Sequence, residues 1–116
     1  MVRGAIVATA VLITYAAVFA AGAEVENLAY VDGEVTFDVS GSGAVSLVAQ
    51  ADFKYTSAKT GEEALARATS EVYRATLSAT SLPVNIKFAP PAGTIEEVEV
   101  VVFVNGKETA RQVFSF

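Results

Sequence analysis

VEVVVFVNGKETARQVFSF, residues 98–116, is two strand-forming runs hinged on Asn105-Gly106. An Asn-Gly pair supplies the two positive φ angles that a type I′ hairpin turn demands, so the runs should pair antiparallel. The first run is apolar on both faces from Val100 to Val104, which places it in the middle of a structure and not on a half-wet surface. Val100, Val102 and Val104 should face one way, and Val101 and Phe103 the other. One set then lies in a core, and the other lies against a neighbouring subunit, the joint to the N-terminal segment, or a middle loop over residues 57–70. Phe114 and Phe116 should extend one of these faces, because residues two apart share a side.

Similar punctuation recurs upstream. Asp32-Gly33 marks a turn, after which Val35, Phe37 and Val39 alternate with Thr36 and Asp38. Beyond the flexible Gly41-Ser42-Gly43, a second alternation puts Val45, Leu47, Ala49, Ala51, Phe53 and Tyr55 on one side. Residues 61–67 read as a loop or single helical turn, and residues 72–78 as a strand. Val84, Ile86 and Phe88 share a face, and Pro90-Pro91-Ala92-Gly93 stops that strand. Six or seven short strands at roughly ten-residue intervals predict an immunoglobulin-like antiparallel β-sandwich over residues 24–116. A small antiparallel barrel is the alternative.

The 116 residues carry 8 Lys and Arg against 13 Asp and Glu, a formal net charge of −5, which disfavours a phosphate-binding surface and therefore nucleic acid as a partner. No His and no Cys are present, so imidazole acid–base chemistry, thiolate chemistry and disulfides are excluded. Glu62-Glu63 and the cluster Glu96, Glu97, Glu99 are the carboxylates that could hold Ca²⁺ or work as acid and base. Glu97 and Glu99 alternate with Val98 and Val100, as on a solvated strand face, and no calcium-loop spacing surrounds them. Ser residues lack an activating base and a G-x-S-x-G elbow, and Gly41-Ser42-Gly43 lacks the Lys of a phosphate cradle. The expectation is no enzyme, no cofactor and no metal.

The N-terminus, MVRGAIVATAVLITYAAVFAAGAE, has no charge over residues 5–23 and only Arg3 before it. At about 1.5 Å per residue, such a run is long enough as a helix to cross a bilayer core. On a helical projection Ala10, Thr14, Ala17 and Ala21 form one small-residue stripe and Thr9, Ala16, Ala20 and Ala23 another, with Ile6 and Ile13 between them. Val7, Val11, Leu12, Tyr15, Val18 and Phe19 lie opposite. Stripes of small residues let helices approach closely, which predicts helix–helix packing through Thr9, Ala10, Ala16, Ala17, Ala20 and Ala21. Ala21-Gly22-Ala23 also satisfies a signal peptidase site, which would remove the segment.

Arg3-Gly4-Ala5 resembles the basic-Gly-Ala junction of a class III signal peptide. With the uncharged Ala-rich run and the Cys-free β-domain that follow, the layout resembles archaeal type IV pilins and related archaeal filament subunits. A Glu found five residues into many bacterial pilins is replaced here by Thr9. The resemblance implies a leader over residues 1–4 processed between Gly4 and Ala5, a hydrophobic α-helix over residues 5–23, and a mainly β chain otherwise. It implies a structural subunit of an extracellular filament, anchored in the cell membrane before assembly, that polymerises with itself through the helix, with the β-domain outside and possible adhesion targets. Two alternatives accompany it: a membrane-anchored binding module similar to archaellum stators, and a secreted β-domain.

Overall fold

The structure, a computed structural model, describes residues 12–14, 23–78 and 80–116. Nine strands follow in chain order: β1 (Leu12–Thr14), β2 (Glu24–Val31), β3 (Glu34–Ser40), β4 (Gly43–Ser57), β5 (Glu63–Thr69), β6 (Tyr73–Leu77), β7 (Leu82–Lys87), β8 (Gly93–Val104) and β9 (Lys107–Ser115). They form two antiparallel sheets. One has the order β1-β9-β8-β4-β5, with β6 also paired to β4, and the other has the order β2-β3-β7. From β2 onward the chain crosses between sheets three times, after β3, β6 and β7, so sequence-adjacent strands are divided between two layers around one core.

The two turn dipeptides behave as their chemistry requires. Asp32 and Gly33 have φ of 47° and 87°, Asn105 and Gly106 of 51° and 80°, and each pair closes a hairpin, β2–β3 and β8–β9. The second turn is also clamped to β4: Asn105 N–H donates to the Ser46 carbonyl at 2.8 Å, and Ser46 N–H donates to Asn105 Oδ1 at 2.9 Å.

Alternation then fills the core. Val35, Phe37 and Val39 of the smaller sheet face Val45, Leu47, Ala51 and Phe53 of β4 and Val98, Val100, Val102 and Val104 of β8, and all are buried. Phe114 completes this layer from β9, whereas Phe116 is 59% exposed. Val101 points to the opposite face with Gln50 and Arg111 as its register neighbours, yet it too is buried. Residues 57–70 do not fold over that face as a loop. They make a turn and then β5 itself, Glu63–Thr69, at the edge of β4.

The sequence-based expectation of a loop or single helical turn at residues 61–67 is corrected by β5. Ala64, Leu65, Ala66 and Arg67 favour helices intrinsically, but β4 presents an open edge of backbone donors and acceptors that a strand satisfies and a helix does not. β5 takes residues 50–56 of β4 and β6 takes residues 43–47, end to end along one edge. At the junction Ser70 N–H donates to the Ala49 carbonyl at 2.8 Å, and Ala49 N–H donates to Ser70 Oγ at 2.9 Å, so the side chain continues the ladder across the break.

A larger correction concerns the N-terminus. Among the described residues there is no helix, and none long and apolar enough to cross a membrane. Leu12–Thr14, in the middle of the run read as a helix over residues 5–23, is a strand paired with β9. Among the described residues the fold class is therefore all-β, not mainly β with an N-terminal hydrophobic α-helix, and the strand at Leu12–Thr14 does not fit the transmembrane helix and helix-packed polymer inferred from the pilin resemblance. An apolar run without polar punctuation does not distinguish a buried helix from a strand, and β-branched Ile13 and Thr14 suit an edge that β9 leaves open.

Candidate interaction surfaces

The residues expected to carry function lie mostly outside the described part of the chain. Gly4 and Ala5 of the processing junction, and Thr9, Ala10, Ala16, Ala17, Ala20 and Ala21 of the packing stripes, are all in this group. What the described residues build instead is three surfaces around the sandwich.

The first is the outer face of the larger sheet. Antiparallel register brings Arg67 of β5, Asp52 of β4 and Glu99 of β8 into one transverse row, and Arg111 of β9 completes it one register step away. Arg67 grips Asp52 with two bonds, Nε to Oδ1 at 2.7 Å and Nη2 to Oδ2 at 3.1 Å. Arg111 donates from Nη1 to Glu99 at 2.6 Å, and from Nε and Nη2 to Glu108 at 3.0 and 2.7 Å. Both guanidiniums are held above their ordinary range, Arg67 chiefly by its bond to Asp52 and Arg111 chiefly by its bonds to Glu108 and Glu99. Lys54 lies 3.8 Å from Glu63 along the same face. An open cleft of about 390 Å³ runs between these charges, with Leu65, 80% exposed, on its wall.

Glu96, singled out in the sequence with Glu97 and Glu99, occupies a β-bulge. Lys54 pairs with Glu97 and Tyr55 with Ile95, so Glu96 is the extra residue. The Thr56 hydroxyl donates to its carboxylate at 2.7 Å and, ahead of the neighbouring Glu63 carboxyl and Lys54 ammonium, holds it below the usual carboxylate range. A general acid needs the opposite shift. Among the described residues no group of three or more His, Cys, Asp or Glu side chains is placed to hold a metal ion. The charged face is thus a set of mutually satisfied ion pairs, arranged for cohesion between strands.

The second surface is an apolar cleft of about 430 Å³ at one end of the sandwich, lined by Tyr30, Asp32, Pro90, Ile95 and Phe116. Tyr30 is its floor, with ring centroids 6.1 Å from Phe53, 6.2 Å from Phe114 and 6.0 Å from Phe116. Burial raises the Tyr30 hydroxyl above the ordinary phenol range, the Gly33 backbone bond offsets part of this, and the Asp32 charge adds to it. Nothing in the sequence located Phe116 beside Tyr30.

The third surface is the edge of the larger sheet at β9. Leu12, Ile13 and Thr14 pair with Gln112, Arg111 and Ala110. Among the described residues, no strand takes the same side of residues 107–109 or 113–115. Among the described residues, the edge is therefore paired over its middle alone. Sequence reasoning missed this contact, because it assigned the N-terminal run to helix packing.

No protein-family model matches the chain, and no curated protein matches it. Among solved structures it is similar to the Pseudomonas fluorescens alkylpurine DNA glycosylase AlkC bound to DNA containing an abasic site analog, with 15% identity and a TM-score of 0.47 over 82% of this chain and 30% of that one. The chain spans less than a third of that protein, and a likeness at this level carries no argument about activity.

Proposed function

We propose that this chain is a structural subunit of an extracellular filament, a non-enzymatic β-sandwich that works by associating with copies of itself. The observation that carries the reading is the β1–β9 pairing, which lays Leu12–Thr14, within the uncharged N-terminal run, as a strand along a sheet edge. The outer charges support it from the other side: Arg67, Asp52, Glu99, Arg111 and Glu108 bind one another across strands, leaving the face cohesive and without a catalytic arrangement. An uncharged segment after a single Arg, followed by an acidic domain, agrees with delivery of that domain across the membrane. Self-association here runs through strand pairing, not through helix stripes.

A secreted β-domain is the second reading. β2 begins at Glu24, directly after the small-residue cleavage motif, and Ala23 is fully buried, so a cut between them would leave β2 to β9 in place. Sedimentation velocity on the purified full-length chain, with electron microscopy of sheared cell-surface material, separates the two. The subunit reading expects species that grow with concentration and threads at the surface. A monomer at every concentration, or a native N-terminus at Glu24, refutes it.

A further inference from the structure

We infer that β5 is the seam of a two-fold dimer: the edge strands of two copies pair antiparallel about Leu65, setting Leu65 against its own copy and Glu63 against Arg67 of the other subunit. The inference rests on the self-association proposed above and names a contact for it. Among the described residues, β5 pairs with β4 on one side and with no strand on the other. Two bonds at its ends fix which backbone groups point outward. Ser57 N–H donates to the Glu62 carbonyl at 2.9 Å and Ser70 N–H to the Ala49 carbonyl at 2.8 Å, so in the β4–β5 register the even-numbered residues from 62 to 70 exchange bonds with β4. Glu63, Leu65, Arg67 and Thr69 therefore turn their N–H and C=O groups to the open edge, where a second strand can take them.

The side chains choose both partner and register. Glu63-Ala64-Leu65-Ala66-Arg67 is complementary to itself when reversed. Paired about Leu65, the two exposed leucines cover each other, Glu63 lies opposite Arg67 on either side of the axis, and Ala64 lies opposite Ala66 on the inner face. A shift of one residue sets outward backbone groups against groups already bonded to β4. A shift of two sets Leu65 against Arg67 in one direction and against Glu63 in the other. Charge favours the same arrangement. Glu63 lies beside the Glu96 carboxyl and is met by Lys54 at 3.8 Å, so this end of the edge has negative charge to spare for a neighbour's guanidinium. Arg67 grips Asp52 through Nε and Nη2, which leaves Nη1 for that second carboxylate. An edge guarded against its own copies carries charges that repel on reversal, whereas here reversal brings opposite charges together. The contact is the same patch on both copies, so it closes at two and makes their larger sheets continuous.

Two charge variants of the full-length chain test the seam. Glu63→Arg makes both charged positions basic and Arg67→Glu makes both acidic, so within each variant like charges face each other across the axis, whereas a mixture of the two brings opposite charges together at both ends. Sedimentation velocity should show association of the unmodified chain, monomers of each variant alone, and dimers in the equimolar mixture, with the sandwich melt of both variants retained. Association of either variant alone to the parent's extent, or a mixture that stays monomeric, overturns the seam. The chain has no Cys, so Leu65→Cys supplies a second readout. Facing residues of a bonded antiparallel pair have Cα atoms about 5.5 Å apart, within disulfide reach, and oxidation should give disulfide-linked dimers. Thr69→Cys, opposite Gly61 in this register, should stay monomeric under the same oxidation, and equal cross-linking of the two variants overturns the register. The outcomes keep the two ideas apart. Assembly of the unmodified chain with no cross-link at Leu65 overturns the seam and leaves the subunit reading standing. Dimers through β5 with no larger species at any concentration keep the seam and overturn the filament, and a monomer at every concentration overturns both.

Discussion

Arg111 sits opposite Val101, not Val100, and that single step decides which side of the sheet its charge occupies. A strict two-residue turn at Asn105-Gly106 pairs Val104 with Lys107 and Phe103 with Glu108, as observed, and continued unbroken it would set Arg111 against Val100 in the core. Instead Val102 pairs with Ala110, and Thr109 is an extra residue, buried, with its hydroxyl donating to the Lys107 carbonyl at 3.0 Å. The bulge moves every later residue of β9 to the other face. Deleting Thr109 should remove the bulge and leave Arg111 opposite Val101, outside the core, so the loss should stay below the roughly 3–5 kcal/mol of an unpaired buried charge. Thermal or urea unfolding checks this, and a loss as large as that of a buried charge would mean that the pairs beyond the bulge do not survive its removal.

Arg111 and Arg67 should also differ when truncated. Arg111 is about two-thirds buried and holds two carboxylates, Glu99 and Glu108, so Arg111→Ala leaves like charges facing each other and should cost about 1–2 kcal/mol. Arg67 is on the exposed edge strand, and its pair with Asp52 is open to solvent screening. Arg67→Ala should leave the melting temperature nearly unchanged, with any effect erased by salt. Comparable losses in both variants would contradict this ordering.

Tyr30 predicts an alkaline dependence. Its folded value lies above the unfolded one because burial disfavours the phenolate, so the neutral side chain contributes stability that is complete below the ordinary phenol range of about 10 and is lost as pH rises through the raised value. Tyr30→Phe has no phenol to ionise and should flatten the stability profile above about pH 10 relative to the parent. Parallel profiles for the two proteins, measured by urea unfolding from neutral to alkaline pH, would refute it.

Glu96 predicts the acid side. Its folded value is depressed, chiefly by the Thr56 hydroxyl, so its contribution is present above the unfolded carboxylate value and is lost as pH falls through the folded one. Thr56→Val removes the donor, and the Glu96 side-chain carbon should then titrate at higher pH by NMR. An unmoved titration would mean that the bond at 2.7 Å is not what holds the carboxylate low.

How much of this was legible depended on whether a signal was local. Asp32-Gly33 and Asn105-Gly106 encode positive φ in their own chemistry, and the alternating Val35, Phe37, Val39 and Leu47, Ala49, Ala51 encode their own burial, so hairpins and core could be read directly. β5 could not: Ala64, Leu65 and Ala66 carry helix propensity, and the deciding fact is the vacant edge of β4, which is remote in sequence. The N-terminal run failed for a related reason, since apolar residues satisfy helical and strand periods alike and the acceptor, β9, lies at the far end of the chain. The Arg111–Glu99 pair was hidden by the bulge at Thr109, because one extra residue inverts the facing that the turn would otherwise dictate.

Gly93 gives the sharpest local test of the β4–β8 pairing. It is paired with Ser57 at the far end of β8, its φ is +142°, and a Cβ built there would run into the Thr56 carbonyl oxygen and lie 2.9 Å from the Ala58 nitrogen. Both obstacles are backbone, so no rotamer change relieves them, and the strands must separate to admit even a methyl group. Gly61 has a φ of +72° with nothing within 4 Å of the same construction, so alanine there meets only the cost of left-handed backbone, about 1 kcal/mol. Gly93→Ala combines backbone strain with overpacking and should cost more than about 3 kcal/mol. Hydrogen exchange should show the loss concentrated at residues 54–58 and 92–96, with the Asn105-Gly106 end of β8 protected as before. Equal stability of the two alanine variants, or exchange spread evenly along β8, would mean that the close approach at Gly93 is not part of the native pairing.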